Sequence, residues 1–164
     1  MTALRRKSKE GFTVAELITV CAIVTILASI ALPVASFGFR RQREIELKER
    51  LRKITDAIDR YHELMGLANS QSPVKPAQMQ AYGAEGYPKE LKELVKGVKM
   101  TDGKTIRLLR ERDLIDPMTG KKEWITLSTT DDPDSSMSDK ANVYEVHSTS
   151  TALSLDGKTH YNEW

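Results

Sequence analysis

Cysteine is nearly absent from this chain of 164 residues, which contains Cys21 alone. A single cysteine excludes an intrachain disulfide and says nothing about the redox compartment of the protein. Charge of one sign is lacking as well, because 25 Lys and Arg face 23 Asp and Glu, a formal net charge of +2. That balance provides no electrostatic footprint of the kind that favours nucleic-acid binding.

Motifs that carry catalysis are also missing from the sequence. It contains no glycine-rich phosphate loop, no zinc-ligand spacing and no nucleophile elbow. The histidines, His62, His147 and His160, lie far apart in sequence and lack metal-ligand spacing. We therefore expect a protein that is not an enzyme and that requires no cofactor.

One long apolar run dominates what the sequence does contain. No charged side chain occurs between Leu17 and Phe39, whereas the chain beyond Arg40 is rich in Lys, Glu, Asp, Ser and Thr. As a helix, this run spans about 35 Å, which exceeds the roughly 30 Å of a bilayer hydrocarbon core. The division predicts one membrane-spanning segment that carries a soluble domain.

The residues before the apolar run do not form an ordinary secretory signal. Such a signal has an apolar region of about 7–15 residues followed by a small-residue cleavage site. Here the apolar run is longer, and the basic segment before it ends at Gly11. Cleavage between Gly11 and Phe12 would remove the basic leader and leave the apolar helix on the mature protein. Four Lys and Arg precede the run and three follow it directly, which favours a cytoplasmic N-terminus.

One carboxylate, Glu16, lies near the start of this apolar run. A charge at the centre of a membrane helix costs about 2.5–3.5 kcal/mol on insertion scales, so such residues usually have a function. Glu16 can complement the positive end of the helix dipole, pair with the new amino group of Phe12 on its own chain, or pair with that group on a neighbouring copy. The sequence leaves both pairings open, and the contact between copies is favoured because a lone local contact rarely accounts for a carboxylate inside a membrane.

Two further features interrupt the apolar run. Thr25 and Ser29 form a small-xxx-small pair, which is one sign of close helix packing. Pro33 lacks a backbone donor and clashes with the carbonyl four residues earlier, so we expect the helix to bend or locally unwind there.

The segment KSKEGFTVAELITVCAIVTILASIALP resembles the N-terminal signature of type IV prepilins and of the pseudopilins of type II secretion systems. The matching features are a short basic leader ending in Gly11, then Phe12, then Glu16, and a continuous apolar helix that contains Pro33. The resemblance implies cleavage after Gly11 and N-methylation of Phe12 by a prepilin peptidase, with Phe12 and Glu16 guiding assembly.

The same resemblance implies a structural filament subunit that is stored in the bacterial inner membrane. Its partners would be copies of itself, other pilin-like subunits and an inner-membrane assembly platform, and its product a periplasmic or extracellular filament. Both a short periplasmic pseudopilus and a surface pilus are compatible with the sequence. A different class also fits the composition: a single-pass, membrane-anchored periplasmic binding or sensor module that does not polymerise. That alternative leaves Glu16 and the Gly11–Phe12 junction without a role.

Beyond Glu44 the pattern becomes amphipathic. Apolar residues recur every three or four positions, which predicts a helix with one buried stripe that ends near Gly66. The stripe consists of Leu47, Leu51, Ile54, Ile58, Tyr61 and Met65. The other faces carry opposite charges at i,i+4 spacing: Glu44–Lys48, Glu46–Arg50, Glu49–Lys53, Arg52–Asp56 and Asp56–Arg60.

The predicted fold class is α+β, with a long N-terminal helical spine packed against a small antiparallel β-sheet, as in pilins. We divide the chain into a leader (1–11), a transmembrane or filament-core helix half (12–39), an amphipathic helix half (40–66) and a C-terminal globular domain (67–164). Within that domain we expect a loop at 67–86, a short helix at 87–97, a turn and strand in DPMTGKKEWITL, a strand in ANVYEVHS and a hairpin at Asp156–Gly157. Periodicity does not decide between strand and helix for 105–115.

The C-terminal half resembles the same family in its order of elements. A Tyr-Pro helix, an Asp-Pro turn and terminal strands occur in GYPKELKELV, LRERDLIDPMTGKKEW and YEVHS. In major pseudopilins a calcium ion often connects the terminal loops, and the loop TTDDPDSSMSDKAN offers Asp131, Asp132, Asp134 and Asp139, with Glu145 following. Carboxylate oxygens suit calcium, although the EF-hand spacing is absent. The resemblance makes this loop a candidate calcium site, and a solvated acidic loop without metal is the simpler interpretation.

Overall fold

A computed structural model of the protein describes residues 11–66, 84–132, 135 and 138–164, without the side chains of residues 32, 33 and 84. The chain separates into two compact units, Met1–Arg40 and Arg41–Trp164. The regular elements, in chain order, are α1 (Val14–Gly66), α2 (Leu91–Lys96), β1 (Val98–Lys99), β2 (Thr105–Ile106), β3 (Trp124–Leu127) and β4 (Glu145–Ser148). Short 3₁₀ helices occur at Ala84–Gly86, Glu111–Leu114 and Tyr161–Glu163.

The described part of the first unit is helical from Val14 onward, and every side chain described in it is exposed. Helix α1 contains an 18-residue window with a mean hydropathy of 2.6, none of which is buried. By length and composition, α1 can therefore cross a membrane. The side chain of Pro33 lies outside the description, and the bend expected there stays a prediction.

In the second unit, the rest of α1 buries the predicted stripe. Leu47 and Ile54 are fully buried, and Met65 at the far end of the stripe is 7% exposed. The stripe from Ile54 to Met65, with Leu51 partly buried beside it, forms one cluster with apolar residues from the rest of the unit: Leu94, Val98, Met100, Leu109, Leu114, Val143 and Val146. Burying one aliphatic side chain contributes about 1.5–3 kcal/mol, so this cluster offsets much of the entropy lost on folding.

The expected single sheet is replaced, among the described residues, by two separate antiparallel ribbons. In the first ribbon Val98 pairs with Ile106, and in the second Trp124 pairs with Ser148. Strands of two to four residues form few ladder hydrogen bonds, so each ribbon depends on packing against the helices. The α+β layout holds, with two small sheets beside the long helix.

Three local predictions needed adjustment. Helix α2 begins at Leu91 rather than near Pro88, because Pro88 is buried and its carbonyl accepts a hydrogen bond from the N–H of Val143 at 2.7 Å. Segment 105–115 contains both strand β2 and the 3₁₀ helix at Glu111–Leu114. The turn at Asp156–Gly157 is present, but a single bridge between Leu153 and His160 flanks it. Most of the predicted loop at 67–86 lies outside the described residues.

The Asp-Pro turn and the strand after it are confirmed. The N–H of Gly120 donates to the carbonyl of Asp116 at 2.8 Å, and β3 follows. The side chain of Asp116 is fully buried, where it accepts hydrogen bonds from Met118 N–H and the Ser148 hydroxyl, each at 2.7 Å. This carboxylate thus fixes the turn to β4, a role that the sequence did not indicate.

Candidate functional site

The predicted cleavage junction is accessible. Gly11 and Phe12 precede α1, and Phe12 is 85% exposed. A Cβ placed on Gly11 would meet no atom within 4 Å. The structure therefore shows an exposed, non-helical segment at this junction, and its cleavage stays a prediction.

Thr13 is a site residue that the sequence-based predictions missed. Its Oγ1 accepts a hydrogen bond from the backbone N–H of Glu16 at 3.2 Å. Thr13 therefore caps α1, and with Glu16 it has the S/T-x-x-E spacing of a capping box. The signal was present in the letters TVAE. This cap sets the helix start two residues after Phe12.

The position of the helix start bears on the partner of Glu16. Phe12 lies outside α1, so the helical i,i+4 geometry that would bring its amino group to Glu16 on the same chain is not formed here. Glu16 lies in the first turn, where its charge complements the helix dipole. Its side chain is exposed, and no donor in the described part of the chain bonds its carboxylate.

The hydroxyl groups of the apolar run are satisfied within the helix. Thr19 donates to the carbonyl of Ala15 at 2.8 Å, Thr25 to that of Cys21 at 2.7 Å, and Ser29 to that of Ile26 at 2.7 Å. These residues therefore need no water, and the helix surface around them can lie in lipid or against another helix. Cys21 is exposed on this same surface.

The acidic loop brings together two of the four predicted calcium ligands. Asp131 Oδ1 accepts the N–H of Asp139 at 3.2 Å, and Asp139 Oδ2 accepts the Thr130 hydroxyl at 2.9 Å. Hydrogen bonds from the Ser138 hydroxyl and the Ser128 N–H lower the pKa of Asp131 to about 2. The N–H of Ala141, followed by the hydroxyls of Ser128 and Thr130, likewise lowers the pKa of Asp139.

These contacts test how well the loop fits a metal ion. Both carboxylates already accept donors from the protein, although carboxylate oxygens have capacity for further contacts. Asp132 is exposed, Asp134 lies outside the described residues, and the carboxylate of Glu145 is 3.7 Å from Nε2 of His147. The described residues contain no group of three or more His, Cys, Asp or Glu placed to hold a metal. The calcium site stays a prediction, and a shift in melting temperature on chelation would test it.

Two charges of α1 have partners that the sequence did not indicate. Glu44 Oε1 accepts the N–H of Leu155 at 2.7 Å and the hydroxyl of Tyr161 at 2.8 Å. The ammonium group of Lys48 lies 4.4 Å from the centre of the Trp164 ring. The expected Glu44–Lys48 pair is therefore not formed, because both side chains contact the C-terminal segment instead.

The remaining expected pairs on α1 divide into two sets. Glu46–Arg50 and Glu49–Lys53 are confirmed, at 3.2 and 2.6 Å. Arg50 also forms a half-buried ion pair with Asp113. Among the described residues, Arg52, Asp56 and Arg60 form no ion pair.

The fold and these contacts define a protein with a helix able to span a membrane, followed by a small α+β domain. No protein-family model matches the chain, no curated protein is significantly similar to it in sequence, and no solved structure matches it significantly.

Proposed function

We propose that this chain is a structural subunit of a helical filament, either a pseudopilin of a type II secretion system or a type IV pilin-like protein. It is stored in the bacterial inner membrane through the first part of α1. A prepilin peptidase cleaves it after Gly11 and methylates the amino group of Phe12. The subunit then leaves the membrane and packs this helix against the helices of other subunits, without catalysis of its own.

The observation that carries the proposal is the uncovered apolar surface of α1. Leu17, Ile23 and Ile30 are between 53% and 60% exposed, and the other large apolar residues described from Phe12 to Phe39 are at least 50% exposed. A water-soluble monomer rarely exposes a continuous apolar patch of this kind. Lipid covers the surface before assembly, and the same surface of other copies covers it in the filament.

Glu16 favours a filament subunit over a plain membrane anchor. An unpaired carboxylate in an apolar bundle costs several kcal/mol, and Glu16 has no donor among the described residues. The amino group of Phe12 on a neighbouring copy titrates near 7.7–8.0 and is largely cationic at neutral pH. Pairing the two groups selects both the partner and the axial stagger between subunits.

Mass spectrometry of the mature N-terminus tests the processing step. We expect the chain isolated from membranes to begin with methylated Phe12. A chain that retains residues 1–11 would refute the filament subunit and favour the membrane-anchored binding or sensor module.

Substitution of Glu16 tests the assembly step. Gln at this position keeps the length of the side chain and the backbone N–H that Thr13 caps, and it removes only the charge. We expect Glu16→Gln to insert into the membrane normally and to lower filament yield by about tenfold or more, the equivalent of about 1.4 kcal/mol per contact. The matched control is Glu63→Gln, which removes an exposed carboxylate from the other part of α1. Normal filaments from Glu16→Gln would show that assembly does not need the charge of Glu16.

A further inference from the structure

A cleft of about 810 Å³ lies in the second unit, between the end of α2 and the segment that follows β2. We name it the basic cleft; it is lined by Val95, Lys96, Arg107, Leu108, Leu109, Arg110 and Glu111. Its volume falls in the range of 300–1,000 Å³ that is common for ligand sites. Its three cations, on Lys96, Arg107 and Arg110, belong to exposed residues.

These three cations have no counter-charge within the described part of the chain. None of them takes part there in a hydrogen bond or an ion pair. Glu111 is the acidic residue of the cleft, and its carboxylate is bound by Lys122 Nζ at 2.6 Å, which holds the pKa of Glu111 below its ordinary value. The carboxylate of Glu111 is therefore engaged at the cleft edge, and the three cations remain available to a ligand.

The positive charge is a local feature. Residues 41–164 contain 20 Lys and Arg against 21 Asp and Glu, a net charge of −1. A cluster of cations on a domain of slightly negative net charge attracts anions selectively, because the potential is positive at the cluster and not over the whole surface.

The two walls of the cleft are held together by backbone contacts. Gly97 adopts a φ of +84°, and a Cβ on it would lie 2.5 Å from the carbonyl oxygen of Ile106. The N–H groups of Leu108 and Leu109 both donate to the carbonyl of Leu94, at 3.0 and 3.1 Å. The cleft is thus formed before a ligand arrives, which lowers the entropic cost of binding.

The chemistry of the walls identifies the ligand class. Arginine side chains bind carboxylates with two parallel hydrogen bonds, and two of the three cations are arginines. Val95 and Leu108 are half-buried in the same cleft and offer apolar contact that a small inorganic anion cannot use. We propose that the basic cleft binds an acidic peptide segment of a partner protein, with two or more carboxylates that flank an apolar side chain.

Fluorescence anisotropy of a labelled peptide, Asp-Glu-Leu-Asp-Glu, with the full chain in lipid nanodiscs tests this proposal. We expect saturable binding that weakens as salt is raised. Arg107→Gln combined with Arg110→Gln should weaken binding by about tenfold or more, whereas the matched pair Arg52→Gln and Arg60→Gln, which removes two exposed cations from α1, should change it by less than about twofold. Equal melting temperatures of all proteins exclude a folding defect as the cause.

Three results would overturn the proposal. Equal loss of binding in the two double variants would show that net charge alone attracts the peptide. Full displacement of the peptide by inorganic phosphate at matched ionic strength would assign the cleft to small anions. Sedimentation that shows self-association of the wild-type chain, abolished by Arg107→Gln with Arg110→Gln, would assign the cleft to a second copy.

Discussion

The two units of the chain treat the same kinds of residue in opposite ways. Ile30, in the first unit, is 60% exposed, whereas Ile54, in the second, is fully buried, although both belong to α1. Helix formation and residue type are the same in the two places. The difference is that the second unit supplies its own covering residues. The apolar surface of the first unit has to be covered by lipid or by other molecules.

The polar side chains of the two units also differ in how far along the chain their hydrogen-bond partners lie. In the first unit, the hydroxyls of Thr19, Thr25 and Ser29 bond carbonyls three or four residues away. In the second, Glu44 bonds the N–H of Leu155, 111 residues along the chain. Local bonds depend only on the helix that contains them, whereas the long-range bonds exist only when the second unit is folded.

Removing residues 1–40 should produce the largest difference between the two units, because it should abolish membrane association and leave folding intact. Every buried core residue among those that the structure describes belongs to the second unit, the first of them being Leu47. We therefore expect the fragment 41–164 to be soluble and folded, with complete loss of membrane association. Cell fractionation and a circular-dichroism melt measure the two properties. A fragment that aggregates or melts without cooperativity would show that the second unit depends on the first.

Two matched truncations in α1, one in each unit, should have very different effects on the free energy of unfolding. Ile58→Ala opens a cavity in the core and should lower the free energy of unfolding of the second unit by about 2–5 kcal/mol. Ile30→Ala removes the same atoms from an exposed position and should change it by less than about 0.5 kcal/mol. Both tryptophans, Trp124 and Trp164, lie in the second unit, so their fluorescence during denaturation reports on that unit. Equal effects of the two substitutions would contradict the division into units.

Replacing the buried carboxylate of Asp116 should lower the free energy of unfolding by a smaller amount. Asp116→Ala leaves the N–H of Met118 and the hydroxyl of Ser148 without their acceptor, at a cost of about 1–3 kcal/mol in unfolding free energy. Asp59, which is exposed on α1 and forms no hydrogen bond or ion pair in the part of the chain that the structure describes, is the control, and its replacement by Ala should cost less than about 0.5 kcal/mol. The same denaturation experiment measures both, and an unchanged midpoint for Asp116→Ala would refute its role in fixing the turn.

The smallest effect is a dependence of stability on pH that is confined to the second unit. Hydrogen bonds from the Ser154 hydroxyl and the Lys158 N–H lower the pKa of Asp156 to about 2, and the pKa of Asp131 is also about 2. Aspartate in an unfolded chain titrates near 3.9, so the unfolded state binds more protons at acidic pH. The melting temperature should therefore fall as the pH decreases from about 4 to about 2.

The variant Asp156→Asn provides the check on this pH dependence. It removes one titrating group, and its melting temperature should fall less steeply over the same range than that of the wild-type chain. Identical slopes would show that Asp156 is not hydrogen-bonded as described.

Sequence reasoning predicted the parts of the fold that neighbouring residues specify. The buried stripe from Leu47 to Met65 followed from helical periodicity, and β3 followed from the Asp-Pro turn before it. It failed for Glu44, which was paired with Lys48 because only the i,i+4 neighbour is visible in the sequence. It also failed for Asp116, since a carboxylate in a turn is usually solvated and its burial depends on Ser148, 32 residues away.

The candidate sites likewise divide into those that neighbouring residues indicate and those that depend on tertiary contacts. Gly11, Phe12 and Glu16 were predicted as site residues from the order of residues, and their roles stay predictions. The cap by Thr13 could also have been found there. The basic cleft could not, because Lys96 and Arg107 belong to separate segments that are brought together by the backbone contacts around Gly97 and Leu94.

The sequence by itself determined that α1 is long, apolar in its first part and amphipathic in its second. Hydropathy and helical period are properties of consecutive residues, so they need no knowledge of the rest of the chain. Only the tertiary structure decided which charges are paired, which carboxylate is buried and which cations share a cleft. Those outcomes depend on distances between residues far apart in sequence. Such distances are fixed only when the apolar stripe of α1 packs against the other residues of the core.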